Sequence, residues 1–142
     1  MNLEVLAVGK LKDPGLQLLC EDYLKRSRSF LPIDVTEVRD HGALWRRQST
    51  APGPTVILDE RGELPTTLEF SSWLSGWREQ GHRRAWFVVG DAHGFDDQER
   101  RRADRLLALG RITLPHRLAR VVLIEQLYRA GTVLAGHPYH HT

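Results

Sequence analysis

The C-terminal stretch LPHRLARVVLIEQLYRAGTVLAGHPYHHT, Leu114 to Thr142, says more about the architecture of this chain than any other segment. Between about Leu118 and Leu134 its apolar residues recur at helical spacing on more than one face. A helix that is apolar most of the way round is buried on more than one side. We therefore expect a long, deeply packed C-terminal helix whose extra apolar face forms a subunit interface.

Strand patterns precede this helix. Apolar runs at Leu3–Val8, Thr55–Leu58 and Arg84–Val89 predict buried strands, whereas the alternating run Ile33–Val38 predicts a half-buried or edge strand. A short extended piece is expected at Arg111–Leu114. Continuous apolar runs of this length are typical of a parallel sheet that is covered on both faces.

Helical patterns separate the strands. They are predicted at about Pro14–Arg28 with Asp13 as N-cap, from Thr66 or Thr67 to near Gly81, and at about Asp96–Leu109. Residues 40–54 are rich in Gly, Pro, Ser and Thr and are predicted to form a loop, with one helical turn around Trp45. Strands that alternate with helices predict an α/β fold: a mostly parallel sheet with helices on both faces, in a single domain over residues 1–142.

Composition favours a globular domain that acts in the cytoplasm. The 142 residues are 41% hydrophobic and 27% charged, which suits one domain with its own core. No apolar run approaches the roughly 20 residues that cross a bilayer, so no membrane partner is expected. The single cysteine, Cys20, excludes an intramolecular disulfide, and its apolar neighbours favour a small buried hydrophobe.

Charge is distributed unevenly along the chain. Residues 1–71 carry 9 basic and 11 acidic side chains, and residues 72–142 carry 11 and 7. Arginine binds phosphate and stacks on bases, so a basic C-terminal half is compatible with an RNA partner. The charge pattern alone does not identify one.

The turn Gly90-Asp91-Ala92-His93-Gly94 is the first candidate for a ligand contact. It follows a buried strand, and ligands of open α/β sheets bind beyond the carboxyl ends of the strands. Its two glycines do not complete a dinucleotide-binding fingerprint, and no phosphate-binding loop of the G-x-x-x-x-G-K type occurs. A purely structural turn therefore remains an alternative.

The C-terminal end of the chain holds the second group of candidates. Glu125 and Arg129 stand four apart on one helix, which suits a simple salt bridge or an arginine held over an RNA phosphate or a cofactor carboxylate. The tail from Gly136 to His141 contains three histidines, but structural zinc needs about four ligands and the lone cysteine is distant, so no metal is predicted. Histidine and tyrosine that contact a base, or an inert terminus, both remain open.

Beside these patterns, the chain resembles a known family. The run from Leu114 to Thr142, with its motifs LPH…R…EQLYRA and HPYH, is similar to the C-terminal signature of the RlmH family, the SPOUT-class methyltransferases of large-subunit rRNA. LEVLAVGKLK (Leu3–Lys12), TVILDERGE (Thr55–Glu63) and WFVVGDAHG (Trp86–Gly94) resemble further segments of that family. The similarity covers nearly the whole chain, with a shortened segment around residues 40–54.

The resemblance implies a fold and a cofactor. Family members share a SPOUT-like C-terminal trefoil knot and work as homodimers, whereas general topology rules favour an unknotted chain. They bind S-adenosyl-L-methionine in three loops at the knot. In this sequence the three loops supply the cofactor-binding candidates Leu58, Gly90, Leu109, Gly110, Arg111, Ile112, Thr113 and Leu114.

The resemblance also implies a reaction, methylation of N3 of a pseudouridine in the 23S rRNA of the assembled ribosome. Arg129 is predicted to grip a phosphate, Tyr139 to stack on the nucleotide and His140 to accept a proton. The tail of one subunit is expected to complete the site of the other. Two alternatives remain open: a tRNA methyltransferase of the same fold, and a non-catalytic RNA- or ribosome-binding module.

One departure from the family favours the non-catalytic alternative. The family usually has two adjacent glycines where this chain has Gly90-Asp91, and often an acid or Asn where His93 stands. If the second glycine serves a positive φ, aspartate tolerates that conformation better than most residues. If it serves close approach of a ligand, the site is reshaped here.

Overall fold

A computed structural model describes residues 1–141, so Thr142, the last residue of the predicted domain, lies outside the described residues. The chain forms, in order, β1 (Asn2–Val8), α1 (Pro14–Ser27), β2 (Ile33–Val38), α2 (His41–Gln48), β3 (Thr55–Glu63), α3 (Thr67–Glu79), β4 (Arg84–Val89), α4 (Asp97–Arg100), β5 (Arg105–Leu107), α5 (His116–Leu134) and a final 3₁₀ turn at Pro138–His141. None of the helices within residues 1–141 is long and apolar enough to span a membrane.

The five strands form one sheet in the order β2-β1-β4-β3-β5, and every neighbouring pair is parallel. β1 and β4 lie inside the sheet and are almost entirely buried, as their continuous apolar runs predict. β2 lies at one edge, as its alternating pattern predicts. The expected α/β fold with a parallel sheet is confirmed.

Helices cover both faces of the sheet. Leu3, Val5 and Ala7 of β1 pack on the face where α1, α3 and α5 lie, and Cys20 is buried there as predicted. Leu6 and Val8 point to the opposite face, which α2 covers. α5 packs against both α1 and α3. These neighbours within the chain account for its several apolar faces, so a subunit interface is not needed to explain them.

Arg120 fastens α5 to the sheet. Its side chain is 3% exposed, and one terminal nitrogen lies 2.5 Å from the carboxylate of Glu37 at the end of β2. The other terminal nitrogen donates to the carbonyl of Gly9 at 3.0 Å. Glu37 also accepts from the backbone N–H of Leu11. This partly buried ion pair and its hydrogen bonds therefore join α5, β2 and the loop after β1.

The segment predicted to be a loop with one helical turn forms the eight-residue helix α2, so that prediction is wrong. Asp40 caps the helix by accepting from the N–H of Ala43 at 2.8 Å. Leu44 and Trp45 are buried against the sheet. Short helices gain most of their stability from tertiary packing, which the local composition does not reveal.

The prediction that the charged helix runs to Leu109 is also wrong, because the helix ends at Arg100 and β5 follows. The carboxylate of Asp104 accepts from the N–H of Thr55 at 2.7 Å, and the N–H of Asp104 donates to the carbonyl of Thr55 at 2.8 Å. Pairing with β3 satisfies backbone groups that would otherwise be left at a sheet edge. The extended piece expected at Arg111–Leu114 has no strand structure, since the strand lies earlier.

β3 continues past its predicted end at Leu58 and bulges. Leu58 and Glu63 both align with Leu107 of β5, so residues 59–62 leave the ladder and return to it. The N–H of Ala108 donates to the carbonyl of Glu63 at 2.9 Å. A Cβ on Gly62 would lie 2.6 Å from the carbonyl carbon of Leu106, so only glycine fits where the bulge closes.

Candidate functional site

A cavity of about 700 Å³ opens at the carboxyl ends of β3, β4 and β5. Its walls are residues 58–61 of the bulge, residues 89–95 around the end of β4, residues 107–110 and 112–116 from the end of β5 onward, and two side chains from flanking helices. Ligands of open α/β sheets bind at this edge, and cavities of this size hold small molecules and cofactors. The fold thus places three distant segments around one cavity.

Seven of the eight predicted cofactor residues line this cavity: Leu58, Gly90, Leu109, Gly110, Ile112, Thr113 and Leu114. Ile112 is 84% exposed although it lines the cavity, so it lies at the mouth. The eighth residue, Arg111, is exposed and is not part of the lining. Sequence reasoning missed that the bulge after Leu58 also contributes to the wall.

The lining combines apolar and charged groups. The carboxylates of Asp59, Glu60 and Asp91 line the cavity together with the guanidinium groups of Arg61 and Arg100. Asp59 is 5% exposed and accepts from Nε of Arg100 at 2.7 Å, so these two charges neutralise each other. Three carboxylates against two guanidinium groups leave one net negative charge when the lining histidines are neutral. The lining thus offers both charged and apolar partners to a ligand.

In the turn after β4, the residue with a positive φ is Gly94 and not Asp91. Among residues 1–141 no residue other than glycine has a positive φ, so Asp91 does not replace a left-handed glycine; Gly94 takes that conformation, with φ of 69°. A Cβ on Gly90 would lie 3.0 Å from the ring of Phe95. Asp91 accepts from the N–H of His93 at 3.0 Å. The Asp91 side chain thus bonds to the backbone of its own turn, and Phe95 packs against Gly90.

A cluster that the sequence did not reveal lies behind this turn. Nδ1 of His41 lies 2.6 Å from the carboxylate of Glu99, and its Nε2 lies 3.6 Å from the carboxylate of Asp91. Nε1 of Trp45 donates to the same Glu99 oxygen at 2.7 Å. The sequence gives no sign of this cluster, because its members come from α2, α4 and the turn, and α2 was expected to be a loop.

Ionisation within this cluster is coupled. Partial burial opposes protonation of His41, but its hydrogen bond to Glu99 and the charges of Glu99 and Asp91 outweigh burial and raise its pKa above the ordinary value. Burial also opposes the charged form of Glu99, yet hydrogen bonds from Trp45 and His41 leave the pKa of its carboxyl lowered. Both shifts stabilise a protonated histidine between two carboxylates.

The predicted RNA-contacting residues Arg129, Tyr139 and His140 come together around Glu125. Arg129 donates twice to one Glu125 oxygen, at 2.9 and 2.6 Å, and its third nitrogen lies 3.2 Å from Nδ1 of His140. The hydroxyl of Tyr139 donates to Glu125 at 3.1 Å. Burial, followed by the charge of Glu125, strongly raises the pKa of Tyr139. The hydroxyl therefore stays protonated at neutral pH.

The Tyr139 ring already has two close neighbours. The guanidinium of Arg129 lies 4.8 Å from the ring centroid, and the ring of Tyr128 lies 4.7 Å away in an edge-on arrangement. A base that stacks on Tyr139 would share the ring with these contacts. Among residues 1–141 no three His, Cys, Asp or Glu side chains are grouped to hold a metal ion.

The two groups of predicted site residues are not adjacent within one chain. Ala119, near the start of α5, lines the cavity, whereas Arg129 is ten residues further along the same helix. At about 1.5 Å per residue this separates them by about 15 Å along the helix axis. The tail cluster and the cavity therefore lie toward opposite ends of α5.

Comparisons with known proteins agree with this architecture. A family model described as a predicted SPOUT methyltransferase matches residues 1–140. The chain is 39% identical to the ribosomal RNA large subunit methyltransferase H of Geobacter sulfurreducens, over 99% of its own length and all of that protein. The chain belongs to this family. The family member from Novosphingobium aromaticivorans is 44% identical over 99% of the chain and 98% of its own length.

Solved structures show the SPOUT fold at greater distance. The SpoU methyltransferase AviRb of Streptomyces viridochromogenes superposes with a TM-score of 0.55 at 13% identity. The match covers 96% of this chain, which spans 61% of that chain. A structure of AviRb in complex with the cofactor AdoMet gives a TM-score of 0.51 at 15% identity, over 90% of this chain and 57% of that one. At this identity the likeness concerns the fold alone.

Proposed function

We propose that this protein, as a single domain in the cytoplasm, transfers a methyl group from S-adenosyl-L-methionine to N3 of a pseudouridine in 23S rRNA of the large ribosomal subunit. The names of its RlmH-family relatives, ribosomal RNA large subunit methyltransferase H, support the substrate class. The observation that carries the proposal is the cavity, because the three loops expected to bind the cofactor meet around it.

The cavity suits this cofactor chemically. Bound S-adenosyl-L-methionine supplies an electrophilic methyl group on a positively charged sulfur, next to an ammonium group. Glu60 offers a carboxylate as a partner for an ammonium group, while Leu58, Val89 and Leu107 offer apolar surface to a nucleoside. Gly90 keeps the wall open, because a side chain there would meet Phe95. Backbone and small apolar contacts explain why no side-chain motif identifies the cofactor.

The tail cluster supplies groups for the acceptor nucleotide. N3 of neutral pseudouridine carries a proton that it must lose as it accepts the methyl group. An arginine has only donors, so Arg129 donates to Nδ1 of His140, and neutral His140 then carries its proton on Nε2. His140 accepts a proton only after Arg129 turns away. An RNA phosphate is a competing partner for Arg129, so binding of the nucleotide would release His140 as the acceptor.

We further propose that the protein is a homodimer in which the tail of one copy completes the cavity of the other. The separation of about 15 Å between the two groups along α5 supports this arrangement, because a tail from a second copy could lie closer to the cavity. α1, which packs on α5, exposes Leu18 and Leu19, 66% and 45% accessible, as apolar surface for a second copy.

We also propose that the chain is knotted as in other SPOUT proteins. The bulge after Leu58 supports the proposal, because Leu58 and Glu63 on its two sides align with the same residue, Leu107. Residues 59–62 thus form a loop beside the point where the chain leaves β5 toward α5. Threading of α5 past this loop would produce the knot.

Methyl transfer from radiolabelled S-adenosyl-L-methionine tests the activity. Ribosomes from a strain that lacks the modification, free 23S rRNA and tRNA are the acceptors. Label in the ribosomal fraction supports the proposal, whereas label in tRNA alone supports the tRNA alternative. If no acceptor is labelled and calorimetry shows no heat of cofactor binding, the protein is a non-catalytic binding module. Arg129→Ala should lower kcat about tenfold or more, because a charged contact to the nucleotide is lost.

Complementation tests the dimer. Gly90→Val deforms the cavity wall by pushing against Phe95, and Arg129→Ala removes the tail contact; each is expected to be at least about tenfold less active alone. If the tail acts across the interface, a mixed dimer has one intact site, made of the cavity of the Arg129→Ala chain and the tail of the Gly90→Val chain. Mixing the two variants then restores activity. If tail and cavity act within one chain, mixing restores nothing, and the proposed arrangement is wrong.

A further inference from the structure

Behind the turn that forms one wall of the cavity, His41 contacts three groups at once. Its imidazole lies between the carboxylates of Glu99 and Asp91, at 2.6 and 3.6 Å, and its ring packs on Phe95 with centroids 5.0 Å apart. Asp91 and Phe95 both line the cavity, whereas His41 does not. His41 is thus placed to act on the cavity through the turn, without touching the ligand.

We propose that His41 is a positioning residue of the cofactor site, which in its protonated form holds the Gly90–Gly94 turn in shape by binding Asp91 from behind. This inference rests on the proposed function. The proposal depends on the carboxylate of Asp91, which is the partner of Nε2 of His41. A glycine there would offer His41 no carboxylate to bind.

Two contacts transmit the position of His41 to the wall. Asp91 uses the same oxygen, Oδ1, toward His41 and toward the N–H of His93, so a shift of this carboxylate loosens the turn. Phe95 lies between His41 and Gly90, where an added Cβ would come within 3.0 Å of its ring. A change at His41 therefore reaches both ends of the turn.

The surroundings of His41 determine the sign of the pH dependence. Glu99 from α4 and Asp91 from the turn face the imidazole, and Trp45 on its own helix donates to Glu99. Arg102 lies 4.4 Å above the ring of Trp45 and adds a positive charge beside the cluster. Protonated His41 donates to Glu99 and attracts the Asp91 carboxylate, 3.6 Å from Nε2, through its charge. Neutral His41 keeps its proton toward Glu99 and presents a lone pair to Asp91, so this contact becomes repulsive.

The consequence is a cofactor affinity that falls as the pH rises. Since the pKa of His41 is raised in the folded protein, the contact to Asp91 is complete below the ordinary pKa of histidine and is lost as the pH passes the raised value. Loss of one partly exposed charged contact corresponds to about a fivefold change in the dissociation constant.

Calorimetry with S-adenosyl-L-methionine between about pH 6 and pH 9 tests the proposal. We expect the wild type to bind about fivefold more weakly at the high end. His41→Gln should bind weakly throughout without this dependence, whereas the control His82→Gln, which changes an exposed histidine outside the cavity lining, should behave like the wild type. A wild type that does not bind at all overturns the proposed function itself. Binding that is independent of both pH and His41 overturns only the role of His41.

A double-mutant cycle separates positioning from general destabilisation. In Asp91→Gly the contact to His41 no longer exists, so adding His41→Gln should change the dissociation constant by less than about twofold, compared with about fivefold in the wild-type background. Equal effects of His41→Gln in both backgrounds would show that it acts on the fold and overturn the proposal. NMR titration of His41 provides a readout without ligand: its pKa should fall in Asp91→Asn, and an unchanged pKa overturns the contact.

Discussion

Replacing Gly62 with alanine tests the bulge that forms part of the cavity wall. The new Cβ would lie 2.6 Å from the carbonyl carbon of Leu106, 2.7 Å from its oxygen and 2.7 Å from the carbonyl carbon of Leu107. All three atoms belong to the backbone of β5, which is held in the sheet and cannot turn aside as a flexible side chain would. The φ of Gly62 is not positive, so the expected effect is steric alone.

Overpacking against rigid structure costs about 3 kcal/mol, at the upper end of the usual range. For a chain of this size such a loss lowers Tm by about 10 °C. Gly76, in α3, is the matched control, because an added Cβ meets nothing within 4 Å there. Alanine is a better helix former than glycine, so Gly76→Ala should instead stabilise the protein by about 0.5 to 1 kcal/mol.

Urea unfolding of the wild type and both variants measures these free energies. Gly62→Ala should also weaken binding of S-adenosyl-L-methionine, because residues 58–61 line the cavity. A Gly62→Ala protein that is as stable as the wild type would refute the described packing of the bulge on β5. A loss of stability in Gly76→Ala as well would show that the method does not separate steric from conformational effects.

Two further substitutions probe the parts of the fold that hold α5 and α3. Arg120→Leu should cost about 2 kcal/mol, because it removes a partly buried ion pair with Glu37 and a charged hydrogen bond to Gly9. Arg117→Leu on the exposed face of the same helix should change stability by about 0.5 kcal/mol or less; equal urea midpoints for the two would contradict the role of Arg120. Thr66→Ala should cost about 1 kcal/mol by removing the cap of α3, where Thr66 and Glu69 bond each other's backbone. Retention of wild-type stability in this variant would show that the capping box does not form in solution.

Most elements could be predicted from local pattern because their signals are strong. β1 and β4 are continuous apolar runs between breaking residues, and the structure gives them the expected bounds within one residue. α1 begins at Pro14 after the predicted cap, Asp13, which accepts from the N–H of Leu16 at 3.0 Å. In these segments local propensity and tertiary position agree.

The errors occur where tertiary contacts override local preference. The sequence after Asp96 is charged and helix-forming, yet β5 forms because Asp104 pairs with Thr55 and completes the edge of β3. α2 depends on burial of Leu44 and Trp45, which the composition of residues 40–54 conceals. The His41 cluster could not be predicted for the same reason, since it requires α2 and α4 in their correct positions.

The candidate site was predictable only through resemblance. Backbone and small apolar groups dominate the loops after β3, β4 and β5, and such groups carry no spacing motif of their own. From the resemblance, a second glycine with a positive φ is one expectation for position 91. In the structure the positive φ lies at Gly94, and the Asp91 carboxylate contacts His41. The substitution is therefore compatible with the turn, and it introduces an ionisable group beside the cavity.

Mapping of the methyl group by mass spectrometry tests the central claim most directly. Ribosomes from a strain that lacks the modification are incubated with the purified protein and S-adenosyl-L-methionine, and the 23S rRNA is digested to nucleosides. The account predicts a methyl group on N3 of a pseudouridine and its strong reduction with Gly90→Val, whose side chain pushes Phe95 out of its place in the cavity wall. Unmodified 23S rRNA, or a methyl group found only in tRNA, would contradict it.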